Sequence, residues 1–214
     1  IPYQTYDSLM KTLAFVTRLA PEHISLYNLK IEPGTPFHNN MKAVKEVCAD
    51  EEMEYAMYTS AIEYLASCGY YQYEISNFAK PGYECKHNLK YWTMKDYLGL
   101  GLNSHSFVDN ERFSNTSSLK EYKELIKNGN KPLDIIEKED SAELLKDTII
   151  TGLRLSNGIN INEINKKFNI DFKEQYKSVL DKYINNGFLK IKKENLCFTD
   201  KGFSVSNYIL SDFI

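Results

Sequence analysis

The sequence has little of what marks membrane, metal-cluster or disordered proteins. Its longest stretch without Asp, Glu, Lys or Arg is Tyr97–Val108, well short of the roughly 20 apolar residues that a membrane-spanning helix needs. The four cysteines, at 48, 68, 85 and 197, show no CxxC or CxxxCxxC spacing, so no local zinc knuckle or iron–sulfur motif is present. With 43% hydrophobic and 26% charged residues the composition is that of an ordinary globular protein. We expect a cytoplasmic chain with reduced thiols and no transmembrane segment.

An excess of positive charge is also missing. The chain has 26 Lys and Arg against 29 Asp and Glu, a formal net charge of −3. Residues 139 to 214 hold eleven residues of each sign, whereas a DNA-binding module must neutralise several phosphates. We therefore expect no nucleic acid among the partners, and a winged-helix interaction module is kept as the alternative of another functional class.

The chain begins Ile-Pro-Tyr-Gln-Thr, with neither an initiator methionine nor a charged leader. We interpret it as a piece of a longer protein.

Hydrophobic periodicity predicts alternating helices and strands in the first two thirds. Helices are expected from Thr5 to Ala20 and from Asp50 to Gly69, and buried strands over Ile24–Ile31 and Tyr71–Phe78. A further apolar segment, Tyr97–Val108, is interrupted by two glycines. This alternation is typical of an α/β protein with a parallel sheet or barrel.

The last third predicts helices followed by a two-stranded ribbon, the order of a winged helix. The predicted elements are helices over 141–153, 161–168 and 176–184 and strands over 188–192 and 196–199. Pro132 and the charged run 137–140 indicate a domain boundary. We predict one domain over 1–135 and a second, winged-helix-like domain over 136–214.

The segment from Tyr83 to Trp92 is the densest in chemically useful side chains. Cys85 and His87 are two residues apart, so in an extended chain they would point the same way and could share a metal or heme iron. Tyr91 and Trp92 would suit a flat apolar macrocycle. A hydrogen-bonded structural histidine and ordinary core aromatics are the alternatives, and the spacing does not decide between them.

Two carboxylates lie where barrel enzymes place reacting groups, near the ends of predicted strands. These are Glu32, which precedes Pro33, and Glu74 in the second strand. Either could instead be a satisfied ion pair or a helix cap.

Several stretches together resemble one family. They are His23-Ile-Ser-Leu-Tyr-Asn-Leu, Ile31-Glu-Pro-Gly-Thr-Pro-Phe37, Tyr73-Glu-Ile-Ser-Asn-Phe-Ala79, His87-Asn-Leu-Lys-Tyr-Trp92 and Leu98-Gly-Leu-Gly101. They are similar to the oxygen-independent coproporphyrinogen III oxidase family of radical S-adenosylmethionine (SAM) proteins, and particularly to its heme chaperone branch. The resemblance implies the C-terminal part of a partial (β/α) TIM-like barrel, followed by a small α+β domain.

The resemblance also implies the site residues. In the full-length parent it implies SAM and a [4Fe–4S] cluster, whose CxxxCxxC motif would lie outside this chain, so we expect no catalytic residue here and no activity of the chain alone. Leu29 and Lys30 would lie near SAM. The motif His87, Asn88, Tyr91 and Trp92 would bind heme, with His87 as the axial iron ligand.

Two positions sort the branches of the family. Lys90 and His105 stand where the true oxidases hold a second SAM with other residue types, and a lysine there would repel a sulfonium. The resemblance therefore favours a heme chaperone with heme or porphyrin and apo-hemoproteins such as respiratory cytochromes as partners. The oxidase, which converts porphyrinogen propionates to vinyl groups, is the alternative. A barrel without its first strands would leave an unpaired strand edge, which would favour a homodimer or a C-terminal domain folded across the gap.

Overall fold

The computed structural model describes all 214 residues, which divide into two compact units, Ile1–Cys85 and Lys86–Ile214. The predicted boundary between residues 135 and 136 lies inside the second unit and remains a prediction.

The first unit contains four helices and three short strands. They are α1 (Tyr6–Arg18), β1 (His23–Ser25), α2 (Pro36–Asn39), α3 (Met41–Val47), α4 (Glu51–Ser67), β2 (Tyr71–Gln72) and β3 (Asn77–Ala79).

The two long helices of this unit confirm the sequence prediction. Thr5 caps α1 in a reciprocal capping box with Ser8, and Asp50 caps α4 by accepting the Met53 N–H. The buried faces of the helices meet in one apolar cluster that includes Leu13 and Leu65. Gly69 ends the second helix with a φ of +86°, which only glycine adopts without strain.

The two strand predictions in this unit are wrong in extent. Only His23–Ser25 pairs, with β3, and residues 27 to 30 are exposed instead of forming a buried strand. The segment Tyr71–Phe78 folds as an antiparallel hairpin of β2 and β3, so Glu74 lies in its loop. β3 is the central strand in the order β1-β3-β2, and all three of its residues are buried.

The second unit contains eight helices and six strands. They are α5 (Lys86–Trp92), β4 (His105–Val108), β5 (Glu111–Asn115), α6 (Leu119–Lys127), β6 (Leu133–Lys138), α7 (Ser141–Gly152), β7 (Ile159–Asn160), α8 (Ile161–Phe168), α9 (Phe172–Gln175), α10 (Lys177–Asn185), β8 (Leu189–Lys192), β9 (Asn195–Phe198), α11 (Asp200–Ser204) and α12 (Ser206–Ser211).

Strands β4, β5 and β6 form an antiparallel sheet in that order. Gly99 is required beside it, because a Cβ at this position would lie 2.3 Å from the carbonyl oxygen of His105. β6 is an edge strand, and both Ile135 and Ile136 on it are exposed.

The C-terminal part confirms the predicted order of helices and ribbon. α7, α8 and α10 pack with the three-stranded sheet β7-β9-β8 around a core drawn from residues 145 to 213, with Ile149, Phe172 and Leu196 fully buried. Lys193 turns the β8–β9 hairpin with a φ of +57°. The α/β class and the small C-terminal domain are thus confirmed. The expected parallel sheet is wrong, however, because all strand pairs are antiparallel and each of the three sheets is small and open. No helix has the length and apolarity needed to cross a bilayer.

Candidate functional site

Helix α5 carries the whole His-Asn-x-x-Tyr-Trp segment. Residues four apart share a face of a helix, so His87 stands beside Tyr91, and Asn88 beside Trp92. His87 and Tyr91 are exposed, whereas Asn88 and Trp92 are partly buried. The fold therefore divides the motif into an outward pair that a ligand can reach and an inward pair that fixes the helix.

The outward pair makes a specific contact. The Nε2 atom of His87 lies 2.8 Å from the hydroxyl oxygen of Tyr91, and the two rings meet edge to face with centroids 5.0 Å apart. The other imidazole nitrogen, Nδ1, makes no hydrogen bond within the protein.

Tyr91 is the outermost ring of a stack of aromatic side chains that leads into the protein. Its ring centroid lies 4.4 Å from that of Tyr97, which lies 6.5 Å from Phe107. The Arg112 guanidinium covers the Phe107 ring at 5.1 Å. Burial raises the pKa of the Tyr97 phenol, so this ring stays neutral near pH 7.

A small cavity of about 100 Å³ lies under α5, between the aromatic stack and α7. It is lined by Tyr91, Trp92, Met94, Tyr97, Phe107, Arg112 and Thr151. Pockets that enclose drug-sized ligands measure roughly 300–1,000 Å³, so this cavity cannot enclose a tetrapyrrole. A macrocycle bound through His87 would lie on the outer surface of the helix.

Trp92 is the member of the inward pair that contacts the C-terminal part of the chain. The Arg154 guanidinium stands 6.0 Å from the Trp92 ring centroid, and it donates to the Asn207 Oδ1 at 3.3 Å. The indole Nε1 of Trp92 is buried and has no hydrogen-bond partner. An unpaired buried N–H costs free energy, so no hydrogen bond stabilises Trp92 in this position. Packing and the cation above the ring hold it there instead.

Arg112 links three segments next to the site. Its Nε donates to Glu139, which follows β6, and its Nη2 donates to the Asp147 Oδ2 on α7 at 2.6 Å. Burial lowers the pKa of this guanidinium, but the hydrogen bonds and charges of the two carboxylates outweigh burial and raise it. The guanidinium that packs on the aromatic stack is therefore always charged, and it is paired with two carboxylates.

The expected extended-chain pairing of Cys85 with His87 is wrong, because His87 lies within a helix. Heme iron could still take the exposed imidazole, which is a suitable donor. All four cysteines are free thiols, and the chain has no group of three or more His, Cys, Asp or Glu that could hold a metal ion. A [4Fe–4S] cluster therefore does not fit the residues of this chain.

A second, larger cavity of about 550 Å³ lies in the first unit, and Leu29 lines it. Three acidic residues, Asp50, Glu51 and Glu54, and one basic residue, Lys45, also line the cavity. The net negative charge of this lining makes the cavity more favourable for a cation than for an anion. Lys30 does not line it. Its side chain is 84% exposed, and its ammonium group forms an ion pair with Glu32 at 2.8 Å.

Glu74 is the most buried carboxylate of the chain, with 2% of its surface exposed. Its two oxygens accept hydrogen bonds from the Asn77 side chain and the Ser76 N–H, and Asn77 accepts one from Ser25. Glu74 therefore holds Asn77, which joins β3 to β1, and both Glu74 oxygens accept hydrogen bonds within the fold.

Comparison with known proteins bears on this geometry. The family model of the HemN C-terminal domain matches residues 140–205. The heme chaperone HemW of Bacillus subtilis is 29% identical over 214 residues, which is all of this chain and 56% of that protein. HemW of Lactococcus lactis is 27% identical, again over the whole chain and 56% of the relative. The chain is HemN/HemW-like over its full length.

Two further comparisons refine this result. HemW of Escherichia coli is 37% identical over 108 residues, covering 50% of this chain. A solved structure of coproporphyrinogen III oxidase (HemN) from Escherichia coli, a radical SAM enzyme, superposes with a TM-score of 0.78 at 18% identity. It covers 100% of this chain and 52% of that one, and at this identity it shows the fold. The chain spans about half the length of the curated relatives it matches.

Sequence reasoning missed Tyr97, Arg112 and Arg154 around the motif. Tyr97 lies just beyond the end of α5, and the two arginines lie in segments far from it in sequence. None of the three is part of a recognisable sequence motif. Only their aromatic or cationic character, which many other residues share, could have indicated them.

Proposed function

We propose that this chain is the heme-binding part of a heme chaperone, with heme as its cargo and an apo-hemoprotein such as a respiratory cytochrome as its acceptor. The observation that carries the proposal is the complete His87–Trp92 motif, folded as a helix that presents its imidazole to solvent. The names of the HemW relatives, which cover the whole chain, support it.

The geometry suits a carrier better than a storage site. His87 would hold the iron through one imidazole nitrogen, and the half-buried Trp92 and Asn88 would fix the helix beneath it. Because the cavity under α5 is too small to enclose the macrocycle, most of the porphyrin would stay accessible to an acceptor protein. Weak enclosure and a single protein ligand favour exchange over retention.

SAM and the [4Fe–4S] cluster belong to this proposal only for the longer parent. Leu29 lines the cavity of about 550 Å³, whose net negative charge would favour the sulfonium cation of SAM. We therefore keep Leu29 as a proposed SAM-site residue. Lys30, which is exposed and paired with Glu32, is retained only as a neighbour of that site. No residue of this chain specifically favours the oxidase alternative. The likeness to HemN, at 18% identity, shows only a shared fold.

The test is a titration of the purified chain with hemin, followed by Soret absorption. His87→Ala should remove the Soret shift of the bound state and weaken binding by about tenfold or more, because the axial ligand is lost. His38→Ala and His105→Ala remove other exposed imidazoles and should leave the titration within about twofold of wild type.

Identical spectra for wild type and His87→Ala would refute His87 as the ligand. Transfer is tested separately by mixing the heme-loaded chain with an apo-cytochrome and recording the acceptor's spectrum. Heme that binds through His87 but never reaches the acceptor would leave a heme-binding protein and overturn the chaperone function.

A further inference from the structure

The contact between His87 and Tyr91 gives Tyr91 a role other than that of a macrocycle wall. Its hydroxyl is hydrogen-bonded to the imidazole Nε2 at 2.8 Å. Nε2 is also the nitrogen that iron porphyrin can reach more easily. Nδ1 adjoins the ring carbon that carries Cβ, so a wide planar ligand on Nδ1 would collide with the backbone of α5. The phenol and the iron therefore compete for one atom.

Tyr91 cannot leave this position freely. Its ring lies against Tyr97, with centroids 4.4 Å apart and planes inclined by 68°. Tyr97 is backed in turn by Phe107, over which Arg112 is stacked. Packed aromatic pairs resist displacement, so the stack returns the hydroxyl to Nε2 whenever that nitrogen is vacant.

We propose that Tyr91 is a positioning residue that competes with heme iron for His87 and so keeps heme binding weak and release fast. This inference rests on the proposed function and deepens it. The hydroxyl occupies Nε2 in the free protein, must leave when heme binds, and takes the nitrogen back as heme departs. An exposed hydrogen bond of this kind changes an equilibrium by about two- to tenfold.

The experiment compares Tyr91→Phe with wild type in the hemin titration and in heme release to an excess of apomyoglobin. Phenylalanine keeps the ring in the aromatic stack and removes only the competing hydroxyl. We expect hemin to bind about two- to tenfold more tightly and to leave correspondingly more slowly. Tyr208→Phe, which removes an exposed phenol on α12, should match wild type in both measurements.

Weaker or unchanged hemin binding by Tyr91→Phe would overturn the proposal, because the hydroxyl would then assist binding or have no part in it. A heme-free measurement separates this failure from failure of the proposed function. Diethyl pyrocarbonate modifies an accessible imidazole nitrogen, and the rate at His87 is read by mass spectrometry. It should rise about two- to tenfold in Tyr91→Phe, and an unchanged rate would refute the competition. Insensitivity of hemin binding to His87→Ala, by contrast, would refute the heme site itself.

Discussion

The ion-pair network of Arg112 gives the most quantitative test of how the second unit is held together. Arg112→Met keeps the length of the side chain and removes both charged hydrogen bonds. One Glu139 oxygen is already buried without a partner, so this change leaves the whole carboxylate uncompensated. The Glu139 side chain is only 10% exposed, and water cannot replace the lost guanidinium well.

The expected cost follows from the exposure of each partner. Breaking a fully buried pair costs about 3–5 kcal/mol. That figure must be reduced because the Arg112 side chain is 36% exposed. The bond to Asp147, which is 39% exposed, contributes at most about 1 kcal/mol. We expect a total loss of about 2–3 kcal/mol in the free energy of unfolding, or roughly 4–12 °C in the melting temperature of a chain of this length.

The assay is denaturant unfolding of a double-mutant cycle. Glu139→Gln in the Arg112→Met background removes the stranded charge and should recover about 1 kcal/mol or more. Arg154→Met, which removes a guanidinium that binds no carboxylate, is the matched control and should cost less than about 1 kcal/mol. A loss below about 0.5 kcal/mol for Arg112→Met, or no recovery in the double variant, would refute the reasoning.

Two further predictions concern acid stability and association. Hydrogen bonds from Lys182 and Tyr183 lower the pKa of the Asp212 carboxyl below its usual 3.8, so its stabilising effect is full above that pH and is lost as the pH falls through the lowered pKa. The difference in urea midpoint between wild type and Asp212→Asn should therefore shrink from pH 7 to pH 3, and a constant difference would contradict this. Edge strand β6 exposes Ile136, so we expect self-association in sedimentation velocity that Ile136→Lys reduces; a monomer at every wild-type concentration would exclude it.

Local patterns were enough to predict α1, α4, α7, α8, α10 and the C-terminal ribbon, but they did not predict α5, where we expected extended chain. Thr5, Asp50 and Gly69 act on backbone groups within a few residues of themselves, so they mark the helix ends whatever the rest of the chain does. The turn around Lys193 is equally local. The motif from His87 to Trp92 was also complete in the sequence, including the spacing that places His87 and Tyr91 on one face.

Strand pairing and the state of the site depended on residues far apart in sequence. The apolar run after Ile24 looks like a buried strand, yet the strand pairs only with β3, and the pairing ends at Ser25. The spacing of four allowed His87 and Tyr91 to meet on one helix face, but it could not show that the Tyr97 ring would pack against Tyr91. Nor could it place Arg112 between Glu139 and Asp147, because a charge gains a partner only when the folded chain brings one within hydrogen-bond distance. The sequence by itself therefore determined which groups are present and where several of the helices begin and end, while the tertiary structure decided which of those groups meet and which stay open to a ligand.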